Sequence, residues 1–193
     1  MPTLFVIAGC NGAGKTTASY TLLPEVLGIT EFVNADEIAR GLSPFNPESV
    51  AIQAGRLMLE RIHDLIGKQV DFAIETTLAN KSYVTLLENV KGLGYEVYLL
   101  YFWLSSPEMA VDRVATRVRE GGHNIPIDTI RRRYHRGVRN LFRLYLPLAD
   151  SWFLVDNSEQ PFRVVAEGKA KEQRIFEQAL YERIKQSADG NDT

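Results

Sequence analysis

The chain has 193 residues, 45% of them hydrophobic and 24% charged, and a formal net charge of −2. That length suits one well-buried domain, expected over residues 1–187 with a flexible tail at 188–193, and it is short for two. The near-neutral balance excludes a global basic field that would hold the protein on nucleic acid, so any such contact would be local. The single cysteine, Cys10, excludes an internal disulfide framework and fits a cytoplasmic location. The apolar run at residues 4–8 is too short for a signal-peptide core or a membrane span, so neither a targeting segment nor membrane association is expected.

In chain order, residues 3–8 form an apolar run that ends in glycines, and residues 16–27 then have helical character, which predicts strand, loop and helix. Further strands are predicted at residues 31–34, 71–76, 95–104 and 151–156, each rich in aromatic or branched side chains. Helices are predicted between them, at 47–67, 83–91 and 107–120, from apolar residues at helical spacing. Residues 162–166 read as a short extra strand and 172–186 as a closing helix. Short buried strands alternating with helices predict a three-layer α/β fold around a mostly parallel sheet.

Gly9-Cys10-Asn11-Gly12-Ala13-Gly14-Lys15-Thr16 matches the eight-position Walker A pattern and lies between a strand and a helix, the context that pattern needs. The glycines let successive N–H groups turn inward onto phosphate oxygens, and the following helix adds the positive end of its dipole. Lys15 is expected on the outer phosphates and Thr16 on magnesium, with Gly9, Asn11, Gly12, Ala13, Gly14 and Thr17 completing the ATP contacts. Cys10 reads as a small filler. Asn157, just after the last parallel strand, is expected near the adenine or in a plain turn.

Phosphoryl transfer also needs an acceptor side, and two strand ends deliver polar groups to the same sheet edge. In Asn34-Ala35-Asp36 the aspartate is either a general base for an attacking hydroxyl or a cap for a helix at 37–41. Asn34 and Arg40 are counted with the acceptor contacts. In Glu75-Thr76-Thr77, Glu75 is expected to order a magnesium-bound water or to bind a substrate hydroxyl, and Thr77 to bond a sugar or phosphate.

Residues 113–143 hold nine arginines, no lysine and only two acids, Glu120 and Asp128. The planar guanidinium fork suits phosphate recognition. Arg113 and Arg117 share one face, and Arg132, Arg136, Arg139 and Arg143 form a second stripe, about half of the nine being expected to be surface or paired residues. Gly121, Gly122 and Pro126 read as a hinged flap within an arginine-rich helical lid over about 113–136, able to close on the phosphates. His123 in that flap, with Arg132 and Arg133, is counted among the substrate contacts.

The loop GCNGAGKTT, the segments NADEIARGLSP and AIETTL, and the flap REGGHNIP followed by IRRRY together resemble the small chromosomal branch of the zeta toxin-like kinases, from about residue 4 to 157. The resemblance implies a P-loop kinase that transfers the γ-phosphate of ATP to a hydroxyl of UDP-N-acetylglucosamine, with an antitoxin protein as partner. It implies Asp36 as catalytic base, Glu75 and Thr77 as sugar-nucleotide contacts and Arg117 near a transition-state arginine. The larger toxins carry arginines where this chain has Ala79 and His123, which moves phosphate clamping to residues 131–133 or changes the acceptor. A polynucleotide 5′-hydroxyl kinase, a nucleoside or nucleotide kinase, and a non-catalytic ATP-binding module remain as alternative readings of the same parts.

Overall fold

The computed structural model describes residues 1–122, 124–170 and 172–189. Its centre is one seven-stranded sheet in the order β2-β3-β1-β4-β5-β6-β7. Five strands are parallel: β1 (Thr3–Gly9), β2 (Phe32–Val33), β3 (Phe72–Thr76), β4 (Glu96–Trp103) and β5 (Ser151–Asp156). They are short and apolar because both sheet faces are covered. On one face Leu4, Val6, Phe72, Ile74, Val97 and Leu99 belong to a cluster with Met58, Ile62 and Leu87 of the helices α3 (Ala51–Gly67) and α4 (Ser82–Gly92). On the other, Ile7, Phe102 and Val155 pack with Leu23, Ala110 and Val114 around α1 (Lys15–Thr21) and α5 (Pro107–Arg119).

Two helices change pitch, the first for an identifiable reason. After α1 the chain widens into a π-helical turn, Leu22–Val26, centred on Pro24. Proline has no N–H to offer the preceding turn and its ring crowds that carbonyl, so the wider turn relieves both problems. The helix α6 (Ile127–Asn140) likewise runs into a π turn at Leu141–Tyr145.

The C-terminal region departs from the sequence expectation. The extra strand is longer than foreseen, β6 at Arg163–Lys169, and is antiparallel to β5. Residues 172–175, expected to open a helix, instead form an edge strand, β7 (Glu172–Ile175), and α7 begins only at Gln178 and runs to Asp189. Glu172, Gln173 and Arg174 favour helix by composition, yet charged and polar side chains also suit an edge strand, which must not invite a further partner. Ala188, placed in the tail by the sequence, is a buried residue of α7; residues 190–193 lie outside the described residues.

Parallel strands bring their carboxyl ends to one edge. Ile7 is level with Glu75, Gly9 with Phe102 and Trp103 with Asp156, so the loops after β1, β3, β4 and β5 meet there. Ligands bind at such an edge in open α/β sheets.

Candidate active site

The loop after β1 is held by its own geometry. Gly14 has φ +82°, where an L side chain is strained, and a methyl group there would stand 2.6 Å from the Asn157 amide nitrogen. Asn157 donates from Nδ2 to the Ala13 carbonyl at 2.8 Å, and Gln160 donates to Asn157 Oδ1. Asn157, expected near the adenine, thus has both ends of its amide committed to the protein and buttresses the loop from behind. Cys10 is buried, and desolvation pushes its thiol up to about 11 even though Lys15 pulls the other way, which suits a filler rather than a nucleophile.

Glu75, at the end of β3, gathers the loop's functional side chains. Its carboxylate accepts from the Thr16 hydroxyl at 2.8 Å and from Asn34 Nδ2 at 2.9 Å. It also pairs with the Lys15 ammonium at 3.6 Å, the two side chains being 7% and 8% exposed. Lys15 in turn donates to the Cys10 carbonyl at 3.0 Å. The arrangement holds lysine and hydroxyl in reach of a phosphate chain. Thr16 and Glu75 also form a donor set that fits magnesium, which takes one or two protein oxygens and completes its shell with phosphate and water.

The opposite wall is α2 (Ala35–Leu42). Its cap is Asn34, whose Oδ1 accepts from the Asp36 N–H at 2.9 Å. The capping alternative for Asp36 is therefore overturned: the helix starts two residues earlier than expected, and the Asp36 carboxylate is left exposed on the cleft. Asn34, expected to touch substrate, has its oxygen on the helix start and its nitrogen on Glu75.

Between these walls lies a cleft of about 810 Å³ lined by Lys15, Thr16, Asp36 and Glu75 and by five arginines, Arg40, Arg113, Arg117, Arg132 and Arg133. Asn11, Gly12, Gly14 and Thr17 also line it. Arg133 donates to Asn11 Oδ1 at 3.2 Å, and Arg113 donates to the Ser158 carbonyl at 2.9 Å, so two arginines tie the surrounding elements to the phosphate loop's neighbourhood. The second stripe does not converge as a stripe. Arg132 reaches the cleft with its neighbour Arg133, while Arg136 is exposed and Arg143 pairs with Asp189 at 3.2 Å. Arg131 pairs with Glu108 at 3.5 Å.

Gly121 and Gly122 act first as a helix stop. Gly121, at φ +87°, donates to the Val118 carbonyl and Gly122 to that of Arg117, the paired bonds of a Schellman ending to α5. Ile125 of the same connection is buried in the apolar cluster beneath α5. His123 lies outside the described residues. Thr77 does not line the cleft; its hydroxyl accepts from the Ala79 N–H at 3.5 Å, and its carbonyl faces α6.

That contact identifies positioning residues that the sequence reading passed over. A methyl group on Gly137 would stand 2.6 Å from the Thr77 carbonyl oxygen and 3.1 Å from the Tyr101 hydroxyl. One turn on, buried Asn140 donates to the Leu78 carbonyl at 2.7 Å. The C-terminal half of α6 is thus seated on the loop after β3, which fixes where its N-terminal half carries Arg132 and Arg133. A glycine inside a helix costs about 1 kcal/mol against alanine, so Gly137 within an arginine-rich helix was itself a signal of close packing.

A strand, phosphate loop and helix, a carboxylate at the adjacent strand end and an arginine-bearing helical pair over the cleft define a P-loop kinase fold. The Zeta toxin family model matches residues 1–147, and the chain belongs to that family. An uncharacterized protein of Haemophilus influenzae is 32% identical over 126 residues, 65% of this chain and 88% of its own. The AvrRxo1-ORF1:-ORF2 complex with ATP contains a chain of similar fold, with a TM-score of 0.81 and 19% identity over all of this chain. This protein spans only 66% of the length of that chain. A structure from the PezAT chromosomal toxin–antitoxin system of Streptococcus pneumoniae is similar with a TM-score of 0.63 and 18% identity, covering 98% of this chain and 86% of that one.

Proposed function

We propose that this protein is an ATP- and magnesium-dependent phosphotransferase of zeta toxin type, acting in the cytoplasm on a hydroxyl of a small acceptor, with a sugar nucleotide such as UDP-N-acetylglucosamine as that acceptor. The observation that carries the reading is one cleft with two unlike walls. On one, Lys15 and Thr16 are held by Glu75; on the other, Asp36 stands free of the capping role, with Arg40, Arg117 and Arg132 around it. A switch that only hydrolyses nucleotide has no need of the second wall.

In this reading Lys15 takes the outer phosphates, and Glu75 holds Thr16 in place for magnesium and orders a metal-bound water. Asp36 accepts the proton of the acceptor hydroxyl as its oxygen bonds to the γ-phosphorus and the bond to the bridging β–γ oxygen breaks, releasing ADP. Arg117, Arg132 and Arg133 balance the charge that spreads over the transferred oxygens. Bound ATP supplies the phosphoryl group, and magnesium offsets its charge. The domain arrangement fits one kinase unit with α5, α6 and their connection as the lid.

The sugar nucleotide is the acceptor that the resemblance to zeta toxins implies, and the five arginines that line the cleft suit a diphosphate. Because Thr77 lies off the cleft and Glu75 is engaged with the phosphate loop, the acceptor contacts of this reading shift toward Asp36, Arg40 and Arg132. PezAT is a toxin–antitoxin system, and by family analogy an antitoxin protein is the proposed partner here too. The test is incubation of the purified protein with γ-labelled ATP, magnesium and a metabolite panel that includes UDP-N-acetylglucosamine, with mass detection of the product. Labelled UDP-N-acetylglucosamine is expected. Label on a nucleoside or an oligonucleotide end would remove the sugar nucleotide and keep the kinase, and ATP binding without any labelled product would leave a binding module.

A further inference from the structure

A second cleft of about 450 Å³ opens beside the first, between the connection that follows α2 and the stretch that joins α5 to α6. Arg40, Pro47, Glu48 and Pro126 line both clefts, so the two adjoin along these residues. On its rim stands Phe45, whose ring is wholly exposed. A lone exposed phenylalanine needs no explanation on a convex surface. This one borders a concave space that adjoins the first cleft, and its ring faces are open among the described residues. Asn46 and Asn124 add amide donors and acceptors to the same space.

The spacing along this wall orders three chemistries. Asp36 and Arg40 are separated by four residues on α2 and so share a helix face, about 6 Å apart along the axis. The helix ends at Leu42, and Phe45 follows just beyond it. From the reacting centre outward the wall therefore offers a carboxylate, a guanidinium and an aromatic ring. The Arg40 guanidinium is only loosely engaged, 3.6 Å from Glu37 with both side chains substantially exposed, and is available to an anion.

Resting on the kinase reading above, we infer that Phe45 is a stacking platform for a planar ring at the far end of the acceptor. The acceptor class is then a conjugate with a hydroxyl-bearing head at Asp36, an anionic linker at Arg40 and a ring in the second cleft. A simple polyol or hydroxy acid would fill the first cleft and leave the second unused.

Calorimetric titration separates the parts. A non-hydrolysable ATP analogue with magnesium is titrated first, which tests the ATP-binding reading alone. The loaded protein is then titrated with UMP, AMP and ribose 5-phosphate, three monophosphates that differ in the ring. At least one ringed probe should bind roughly tenfold or more tighter than ribose 5-phosphate, the size expected of one base stacked on an aromatic side chain. Phe45→Ala should erase that preference, Phe45→Trp should restore it, and neither should change affinity for the ATP analogue. Arg40→Ala should weaken ringed and ringless probes by the same factor, since the anion is common to them. Which ring is preferred identifies a purine or a pyrimidine acceptor, and either result supports the platform. Equal binding of ringed and ringless probes, or a ring preference that survives Phe45→Ala, overturns it. A protein that ignores the ATP analogue but keeps a Phe45-dependent ring preference loses the kinase reading and retains the platform.

Discussion

The two walls of the cleft are built in opposite ways. On the phosphate-loop side the polar side chains are buried or half-buried and mutually bonded: Lys15 to Glu75 and the Cys10 carbonyl, Thr16 to Glu75, Asn157 to the Ala13 carbonyl. On the facing side Asp36, Arg40 and Arg132 are exposed. A pre-organised wall spends little on ordering when phosphate arrives, whereas an open one must draw its side chains in around the acceptor. On the proposed reading, the contrast implies a donor site that exists before binding and an acceptor site completed by it.

The largest expected effect breaks the ordered wall. Lys15→Ala removes the ammonium from the phosphates and leaves the Glu75 carboxylate, 8% exposed, without its cation. Both ATP affinity and transfer should collapse, read by calorimetry and by label transfer. Asp36→Asn touches only the open wall and keeps the N–H that Asn34 caps. ATP affinity should persist while transfer falls by about a hundredfold or more, the range for a lost general base. Near-normal transfer by Asp36→Asn would leave the carboxylate with no catalytic part.

The same contrast explains what could be read from the sequence. The ordered wall was legible because a phosphate loop is local: eight consecutive residues between a strand and a helix carry its whole backbone geometry. The parallel strands were legible for a similar reason, as apolar runs bounded by turns. The rest depends on contacts far apart in the chain. Glu75 meets Thr16 across 59 positions, and Asn157 meets Ala13 across 144, so a residue expected on the adenine proved to be a brace for the loop. Thr77 has the chemistry of a substrate contact, but the close approach of Gly137 turns its carbonyl to α6. Glu172–Ile175 had helical composition, and only its pairing with β6 makes it a strand.

The seat of α6 gives an intermediate test, since it joins the two walls. Gly137→Ala places a methyl group 2.6 Å from the Thr77 carbonyl oxygen, a backbone atom that cannot simply swing away. Overpacking costs about 1–3 kcal/mol, offset by about 1 kcal/mol of helix propensity. The melting temperature should fall by no more than about 8 °C, at roughly 2–4 °C per kcal/mol for a chain of this size. Transfer should fall by more than stability suggests, because displacing α6 moves Arg132 and Arg133, and ATP affinity should change less than transfer. Full transfer with a lowered melting temperature would reduce the Gly137 contact to a packing detail.

The smallest effect sharpens the comparison within the arginine run itself. Nine guanidiniums between residues 113 and 143 could act as a diffuse positive field or as a few contacts, and the structure separates those that line the cleft from those that do not. Arg143 belongs to the second group, and its ion pair with Asp189 is 3.2 Å long between side chains 55% and 70% exposed. Water and salt screen such a pair, so Arg143→Ala should change stability by less than about 0.5 kcal/mol and leave transfer intact. Arg132→Ala removes the same charge from the same helix, but from the cleft, and should lower transfer by tenfold or more. Measured side by side at two salt concentrations, the two variants separate the alternatives. A local contact makes Arg132→Ala costly at both concentrations and Arg143→Ala costly at neither. If the two lose transfer equally, and the loss fades as salt rises, the run works as a field and the cleft arginines have no special place in it.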